Sequence, residues 1–312
     1  MSFVLLAAGA AKVEMPSNLR SVTITASSTR LGKPLDTFAA WRVFDGNADT
    51  MWCEGKPGSG SGETLTLTFP EGARVDEVSL VTGVQTTPEL FEANNVPSTL
   101  TLTTDDGRTI EGMDASLIEG AFDYVGTVSF EVGGPPEIRK LVITLGTIEK
   151  TTAANHTCIA DLRIRSGADD LEPVIGIDKA ALAALPAALQ GLVEALGRCD
   201  QPKIADRAQF PLPFDFLQTV LPSAENGVIQ GVRPARSTFR AATDLAARCK
   251  AKDPDAPSVG ETEIDGLVYS TRSGGPGELT FRVDTREGGQ DTWRLAWKDR
   301  RWKLVGISRI PD

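Results

Sequence analysis

The sequence has 312 residues, of which 41% are hydrophobic and 24% charged, and its formal net charge is -10. The length favours two domains, and the composition is that of a globular protein rather than a disordered one. The acidic balance argues against nucleic acid or an anionic membrane surface as a partner, because such partners require a basic surface. It is compatible with neutral sugars, cations or basic proteins, although net charge chiefly maintains solubility.

The first residues contain a short apolar run, 3–10, that resembles the hydrophobic region of a secretory signal. Ala8-Gly9-Ala10 would then serve as the cleavage site, and residues 1–18 would form a leader. The basic residues that precede such a region are missing, so a plain apolar N-terminus is the alternative. There is no run of 18 or more apolar residues, and we therefore predict no transmembrane segment. We expect a secreted, periplasmic or cell-surface protein.

Residues 19–166 show the pattern of one strand after another. Asp106-Gly107 is a hairpin turn signal, and Gly, Pro and Asn cluster between the other strands. This spacing predicts an all-β antiparallel sandwich or barrel. The predicted strands are Val22–Thr25, Leu65–Phe69, Val78–Val81, Leu100–Thr103, Val128–Val132, Leu141–Leu145 and Ile159–Ile164.

Residues 167–177 are polar and contain Gly and Pro, which predicts a linker to a second domain, 178–312. Leucines from Leu182 to Leu196 recur at helical spacing, with Pro186 expected at the first turn of a second helical piece. Another helix is predicted over Arg236–Lys250. Helices followed by an antiparallel sheet indicate an α+β domain. Its predicted strands are Gly266–Ser270, Leu279–Asp284, Thr292–Lys298 and Trp302–Arg309.

The four cysteines, Cys53, Cys158, Cys199 and Cys249, fall two in each predicted domain. None lies in the spacing of a zinc site. An even count with one pair per domain predicts two intradomain disulfides formed in an oxidising compartment. Four buried free thiols are the alternative.

The segment Asp45-Gly46-Asn47-Ala48-Asp49-Thr50 concentrates oxygen-bearing side chains immediately before Trp52. Calcium requires six to eight oxygen ligands, and this segment lacks the length and closing Glu of an EF-hand loop. A local loop would leave the shell incomplete, so a distant carboxylate would have to join it. An Asx-rich turn without metal is the alternative.

Asp45-Gly46-Asn47, Thr50 and Trp52 together resemble the discoidin, or coagulation-factor type C, domains. These are galactose-binding-like jelly rolls that include many carbohydrate-binding modules. The loop 54–63 before a strand, Asn94-Asn95-Val96-Pro97 and Asp106-Gly107 are similar to the translocation, or glycan-binding, module of streptococcal NAD glycohydrolase. Such modules also occur on many bacterial surface proteins. The resemblance covers about residues 20–166.

The resemblance implies a structural calcium ion held by Asp45, Asn47 and Thr50, with Asp161 closing the shell. Asp161 stands where the family more often has Glu. If these two segments meet, Cys53 and Cys158 are also close, which would make their disulfide reasonable.

The resemblance further implies that ligands bind at the rim loops 54–62, 85–95 and 150–156. Trp41 and Trp52 could stack on a sugar, but Trp52 is expected in the core. The rim offers hydrogen-bonding groups and one aromatic side chain suited to a polyol, with simple solvated loops as the alternative. The candidate ligand-binding residues are Gln85, Glu89, Phe91, Asn94, Asn95, Asn155 and His156.

The predicted second domain weakly resembles the nuclear-transport-factor-two-like fold, a cone with a curved antiparallel sheet. The resemblance rests on element order and on the segment 209–214. Isomerases of that fold use a positioned base and oxyanion donors. Asp215, Asp244, Asp265 and Tyr269 are available, but no motif distinguishes one of them. Trp293, Trp297 and Trp302 are expected in the core.

The sequence carries no motif for a catalytic centre. His156 is the sole histidine, there is no Gly-x-Ser-x-Gly elbow, and the Gly-rich loop lacks the ending of a phosphate loop. We predict non-catalytic recognition of a glycan or other extracellular ligand by the β-sandwich, with another protein as a further partner. The alternatives are an enzyme with its site in the α+β domain and the sandwich as targeting module, and a structural protein that binds another protein.

Overall fold

The computed structural model describes residues 18–111, 126–129, 137–149, 156–219, 232–251, 268–270, 275–284 and 290–310. The chain divides into two compact units. The first unit comprises Ser17–Asp178 and Thr271–Gly277, and the second comprises Lys179–Ser270 and Glu278–Asp312.

The first unit is almost entirely β-structure. Its helical elements are a short 3-10 helix, Ala40–Phe44, and α1, Pro88–Ala93. The strands that the structure describes are β1 Leu19–Ala26, β2 Trp52–Cys53, β3 Thr64–Ala73, β4 Glu77–Thr82, β5 Val96–Pro97, β6 Leu100–Thr104, β7 Thr109–Glu111, β8 Gly126–Ser129, β9 Ile138–Leu145, β10 Ile148–Glu149, β11 Cys158–Ser166 and β12 Asp169–Ile175.

These strands form a curled sheet in the order β7-β6-β9-β3-β1-β12-β11-β4-β8, with β2 added on β11 and β5 paired separately with β10. β1 joins the two halves of the sheet, because its first residues pair in parallel with β12 and its last four pair antiparallel with β3. The predicted strands are confirmed, apart from the part of 128–132 beyond Ser129, which lies outside the described residues. The arrangement is consistent with a β-sandwich.

The core of this unit follows the period-two pattern of its strands. In β3, Leu65, Leu67 and Phe69 are at most 1% exposed, whereas Thr66 between them is half-buried. Alternation of this kind places every second side chain on the inner face. Trp52 is fully buried and its Nε1 donates to the carbonyl of Ser28 at 3.0 Å. The prediction that Trp52 lies in the core is confirmed.

The prediction of a linker over residues 167–177 is wrong. Asp169–Ile175 is β12, which pairs antiparallel with the end of β11 and parallel with β1. Gly167 has a φ of 68°, which permits the tight reversal between β11 and β12. The polar composition of this segment reflects that turn and not a linker between domains. Leu171 and Val174 are buried, which the polar composition of the segment alone did not reveal.

The second unit combines helices with a six-stranded sheet in the order β14-β13-β18-β17-β16-β15. Neighbours in this sheet are antiparallel except β13 and β18. The elements are α2 Lys179–Gly197, α3 Gln201–Arg207, β13 Leu212–Thr219, β14 Val232–Phe239, α4 Ala242–Ala251, β15 Val268–Ser270, β16 Glu278–Asp284, β17 Gln290–Lys298 and β18 Arg301–Ile310.

α2 is long and apolar enough, by length and composition, to cross a membrane. α2 contains no uninterrupted apolar run of that length, because Gln190 and Glu194 lie within it. Its buried side chains recur at helical spacing, as in Leu185, Leu189 and Leu192. α2 packs against α3 and β18, and Trp302 Nε1 donates to the carbonyl of Ala181 at 2.8 Å. The contacts show that one face of α2 packs within its own unit.

Two helix predictions in this unit are wrong. Pro186 lies inside a single helix, α2, and does not begin a second piece. The predicted helix 236–250 begins only at Ala242, because the residues up to Phe239 form β14. β14 is an edge strand of the sheet, a position where proline is tolerated, and it contains Pro234. The helical spacing of Phe239 with the apolar residues after it was therefore coincidental.

Both predicted disulfides are present. Cys53 is bonded to Cys158 in the first unit, and Cys199 to Cys249 in the second. No free cysteine remains. Disulfides form and persist in oxidising environments.

We predict that replacing Cys53 and Cys158 together by Ser lowers the unfolding free energy of the first unit by about 3–5 kcal/mol, because the cross-link closes a long loop. Hydrogen exchange measured by mass spectrometry should show loss of protection in β2 and β11. The Cys199→Ser/Cys249→Ser variant is the matched control and should lose protection in α2 and α4 instead. Equal protection of β11 in the first variant and the wild type would contradict the prediction.

Candidate functional site

The start of β11 is where the polar side chains of the first unit meet. β2 pairs with β11 so that Cys53 lies opposite Cys158, and Asn95 forms an isolated bridge with Thr157. The loops after β2 and before β5 therefore converge on His156 and Thr157. We call this end the rim site and define it by Glu54, Gln85, Asn94, Asn95, His156 and Thr157.

Three of the predicted ligand-binding residues at this end make hydrogen bonds or lie exposed at the surface. Gln85 is buried and its Nε2 donates to the carbonyl of Thr82 at 2.6 Å. Asn94 ends α1, with its Nδ2 donating to the carbonyl of Leu90 at 2.7 Å. Glu89 is exposed in the first turn of α1, where hydrogen bonds from its own backbone N–H and from Thr87 lower its pKa. Asn155 lies outside the described residues.

Phe91 does not form the predicted aromatic platform. Its side chain is only 7% exposed, and a Cβ added to Gly83 would meet its ring at 2.7 Å. A glycine is therefore needed beneath this ring, which packs α1 onto the end of β4. The spacing of aromatic residues in a loop could not distinguish a stacking platform from this anchor.

Asn95 and His156 carry buried polar atoms without a partner. Both side-chain atoms of Asn95 are buried, and so is Nδ1 of His156, and none has a hydrogen-bond partner in the described part of the chain. The backbone joins the two residues, since Asn95 N–H donates to the carbonyl of His156 at 3.2 Å. The His156 side chain as a whole is 31% exposed. An unpaired buried polar group costs about 1–3 kcal/mol, so such a group is a natural place for water or a ligand.

Two buried carboxylates lie beside these residues, and neither was predicted as a site residue. Glu54 and Glu63 are at most 1% exposed. Their loop was interpreted as a surface loop because of its glycines. The signal that could have revealed them is the position of each Glu next to a strand end, where a side chain can turn inward.

Glu63 is stabilised as a charged group. Burial alone would raise its pKa, but bonds from Lys56, Ser27 and Ser28 outweigh burial and lower the pKa. Ser27 Oγ lies 2.6 Å from Glu63 Oε2, and the Lys56 ammonium pairs with Oε1. Glu63 therefore contributes stability at neutral pH that is lost as the pH falls through its lowered pKa.

The predicted calcium loop is folded around Asp45. Thr50 Oγ1 lies 2.7 and 2.6 Å from the two carboxylate oxygens of Asp45 and 2.9 Å from the carbonyl of Asn47. Asn47 N–H donates to Asp45 Oδ1 at 3.0 Å, as in an Asx turn. Gly46 has a φ of 64°, which allows the sharp turn. The structure therefore brings Asp45, Asn47 and Thr50 together.

Asp161 lies close enough to this loop to be influenced by its charge. Burial raises the pKa of the Asp161 carboxyl, and the charge of Asp45 raises it further, while Arg163 opposes both. Arg163 Nε lies 3.1 Å from Asp161 Oδ2, and Arg42 Nη1 lies 3.3 Å from Asp45 Oδ2. The charge of Asp45 thus acts on Asp161, and each carboxylate already has an arginine beside it.

These donors are of the oxygen type that calcium prefers. The described residues contain no group of three or more His, Cys, Asp or Glu side chains that could hold a metal. The fit is therefore partial: Asp45, Asp161 and Thr50 could hold the ion with carbonyl oxygens completing the shell. Arg42 and Arg163 supply part of the positive charge that an ion would otherwise provide.

Residues 17–165 match the family described as NAD glycohydrolase translocation F5/8 type C domain. This part of the chain is a discoidin-like domain. No curated protein sequence matches the chain.

Similar solved structures include carbohydrate-binding modules. The family 32 module of NanJ from C. perfringens, solved in complex with galactose, has 19% identity and a TM-score of 0.33, and the match covers 46% of this chain and 92% of that chain. The family 32 module of AlyQ, in complex with 4,5-unsaturated mannuronic acid, has 18% identity and a TM-score of 0.32, with 46% and 94% covered. The arabinofuranosyltransferase AftD from Mycobacteria has 14% identity and a TM-score of 0.36, with 48% of this chain and 11% of that chain covered.

The second unit differs from the discoidin-like domain in having no buried polar side chain among its described residues. Its interior side chains Phe214, Phe281 and Trp293 are at most 1% exposed. Asp244 is exposed and caps α4, accepting from the N–H groups of Arg240 and Ala241 at 3.1 and 3.2 Å. The side chains of Asp215 and Tyr269, and Asp265 as a whole, lie outside the described part. The predicted burial of Trp293 and Trp302 is confirmed, and Trp297 is half-buried against Trp302.

We predict that Asp161→Asn stabilises the discoidin-like domain at neutral pH in the presence of EDTA. A raised pKa means that the stability contributed by the protonated carboxyl is lost as the pH rises through that pKa. The gain of the variant over the wild type should therefore grow between roughly pH 4 and neutrality. Thermal unfolding at a series of pH values measures this difference.

Asp76→Asn is the control of opposite sign. The N–H of Gly167 donates to Asp76 Oδ2 at 2.6 Å. This hydrogen bond, together with the bond and the charge of Arg74, lowers the pKa of Asp76. Its replacement should destabilise the domain at neutral pH and have less effect in acid. If the change in stability depended on pH in the same way for both variants, the assignment of a raised pKa to Asp161 and a lowered pKa to Asp76 would be contradicted.

Proposed function

We propose that the discoidin-like domain binds a neutral glycan at the rim site, without catalysis, on a protein exported to an oxidising compartment. The observation that carries this proposal is the distribution of buried polar side chains. All ten buried polar or charged residues of the described chain lie in the first unit. Burial of such groups is costly, so their concentration in one unit indicates a place adapted to a polar ligand.

The rim site suits hydrogen bonding better than stacking. The large aromatic side chains beside it, Trp52 and Phe91, are buried. His156 is half-buried and can present part of its ring to a ligand, with Asn95 behind it. Sugar hydroxyls both donate and accept, which matches an imidazole and a primary amide. The proposed contact is therefore directional and polar.

The charges around the rim favour a ligand without a carboxylate. Glu54 and Glu63 are buried there, and Glu89 is exposed on α1. Lys56, the nearest lysine of the described loop, is already paired with Glu63. A sialic or uronic acid would bring a like charge close to these carboxylates, and like charges in a partly buried site repel.

We predict that the intact protein binds neutral saccharides on a glycan array in preference to sialylated or uronate-containing ones. His156→Ala should weaken binding of the best neutral ligand at least about tenfold, or ~1.4 kcal/mol, in a calorimetric titration. Arg74→Ala is the control, because Arg74 is exposed near the far end of β11. Unchanged affinity in His156→Ala, or a preference for acidic glycans, would contradict the proposal.

We also propose that calcium supports the fold of this domain through Asp45, Thr50 and Asp161. The support is the contact between Thr50 and Asp45 and the repulsion that the charge of Asp45 exerts on Asp161, which a divalent ion would relieve. The ion would hold the loop after the 3-10 helix against β11. Thr86 Oγ1 lies 3.4 Å from the carbonyl of Asp49, so this loop is also in contact with the segment that follows β4.

Calcium at about 100 times its Kd should therefore stabilise the folded domain by about 2.7 kcal/mol, and the thermal midpoint should rise accordingly relative to EDTA. Asp161→Asn should abolish the rise, and Asp49→Asn, which changes an exposed carboxylate of the same loop, should retain it. An equal midpoint for the wild type in calcium and in EDTA would show that the two arginines suffice and that no ion binds.

A further inference from the structure

Glu54 is a fully buried carboxylate held by backbone groups. Its Oε2 accepts from Lys56 N–H at 2.8 Å, and its Oε1 accepts from Thr157 N–H at 3.3 Å. Its own N–H donates to the carbonyl of Thr157 at 3.1 Å. Gly60, with a φ of 75°, lies against it so closely that an added Cβ would meet Glu54 Cγ at 2.5 Å. The loop after β2 is therefore folded over this carboxylate and fixes its position.

The charge of Glu54 faces one basic side chain in the described part of the chain. Lys56 pairs with Glu63, and no other lysine or arginine among the described residues lies within 4.0 Å of Glu54. His156 Nδ1 lies at 4.0 Å from Glu54 Oε1. A carboxylate removed from water requires a donor or a positive charge nearby, because its desolvation costs several kcal/mol. His156 is the side chain placed to supply one.

His156 shows the complementary deficiency. Its Nδ1 is buried without a hydrogen-bond partner among the described residues, while the ring remains partly exposed. In a neutral imidazole one nitrogen carries the proton and the other accepts. A carboxylate accepts only, so a carboxylate facing Nδ1 favours the tautomer with the proton on that atom. Nε2 is then left as an acceptor.

We propose that Glu54 is a positioning residue that holds His156 in the Nδ1–H tautomer, so that Nε2 accepts a hydrogen bond from a hydroxyl group of the glycan. This inference rests on the proposed function for the contact with the glycan, but the tautomer itself exists without ligand. Glu54 thereby determines that the ligand group at His156 must donate a hydrogen bond. A hydroxyl group can do so, whereas a carboxylate or an ether oxygen cannot.

The tautomer can be measured directly, because His156 is the sole histidine of the chain. In 15N-labelled intact protein, at a pH where the imidazole is neutral, the two ring nitrogens give separate signals for the protonated and unprotonated atoms. The expected result for the wild type is a protonated Nδ1 and an unprotonated Nε2. A protonated Nε2 in the wild type would overturn the proposal without any variant being made.

Glu54→Gln should move the population toward the Nε2–H tautomer and lower glycan affinity about tenfold. Asn95→Ala is the matched control, because Asn95 is equally buried and its N–H donates to the carbonyl of His156. That variant should keep the Nδ1–H tautomer. A change of tautomer in Asn95→Ala but not in Glu54→Gln would assign the role to Asn95 and overturn the proposal for Glu54.

The outcomes separate this proposal from the proposed function. If the wild type has the Nδ1–H tautomer, Glu54→Gln changes it, and no glycan binds, the positioning role stands and glycan binding fails. If glycan binds equally to the wild type and Glu54→Gln, with the same tautomer in both, glycan binding stands and the positioning role fails. Thermal unfolding of both variants shows that each is folded under the conditions of the titration.

Discussion

The pairing of β2 with the start of β11 determines where the candidate functional groups of the first unit lie. β2 has only two residues, and Cys53 and Trp52 lie opposite Cys158 and Ile159. The disulfide holds this register covalently. The loop that contains Asp45 and Thr50 ends just before β2 and the Glu54 loop begins just after it, so both are placed against β11 by the same short contact. A shift of one residue would turn Trp52 away from the core and move both loops.

Four acidic side chains near this contact are each accommodated in a different way. Glu63 has a lysine and two serine hydroxyls, and its charge is favoured. Asp45 is surrounded by Thr50, the N–H of Asn47 and Arg42. Asp161 is left with one exposed arginine and the repulsion of Asp45. Glu54 has backbone donors and a histidine at a longer distance. Asp161 and Glu54 therefore have the least compensation of their charge among the four.

The two units use their interiors differently. The described interior of the second unit is built from aliphatic and aromatic side chains, with α2 supplying one apolar face and Trp302 joining it to the sheet. The first unit has a comparable apolar centre but ends in polar groups where its loops meet β11. A filled apolar interior stabilises a fold, whereas buried polar groups at a loop-bearing end reduce stability and are typical of binding sites.

Much of the strand content followed from the sequence alone, because alternation such as Leu65-Thr66-Leu67 can bury one face only as a strand. Cysteine counting similarly predicted one disulfide in each unit. The tertiary structure decided what local pattern leaves open. Residues 169–175 became a strand because β1 and β11 offered edges to them, and Phe239 became part of β14 because β13 lay beside it. Phe91 and Glu54 turned inward because Gly83 and Gly60 made room for them. Burial and proximity across long sequence separations depend on which elements pack together, and a residue's own neighbours in sequence do not contain that information.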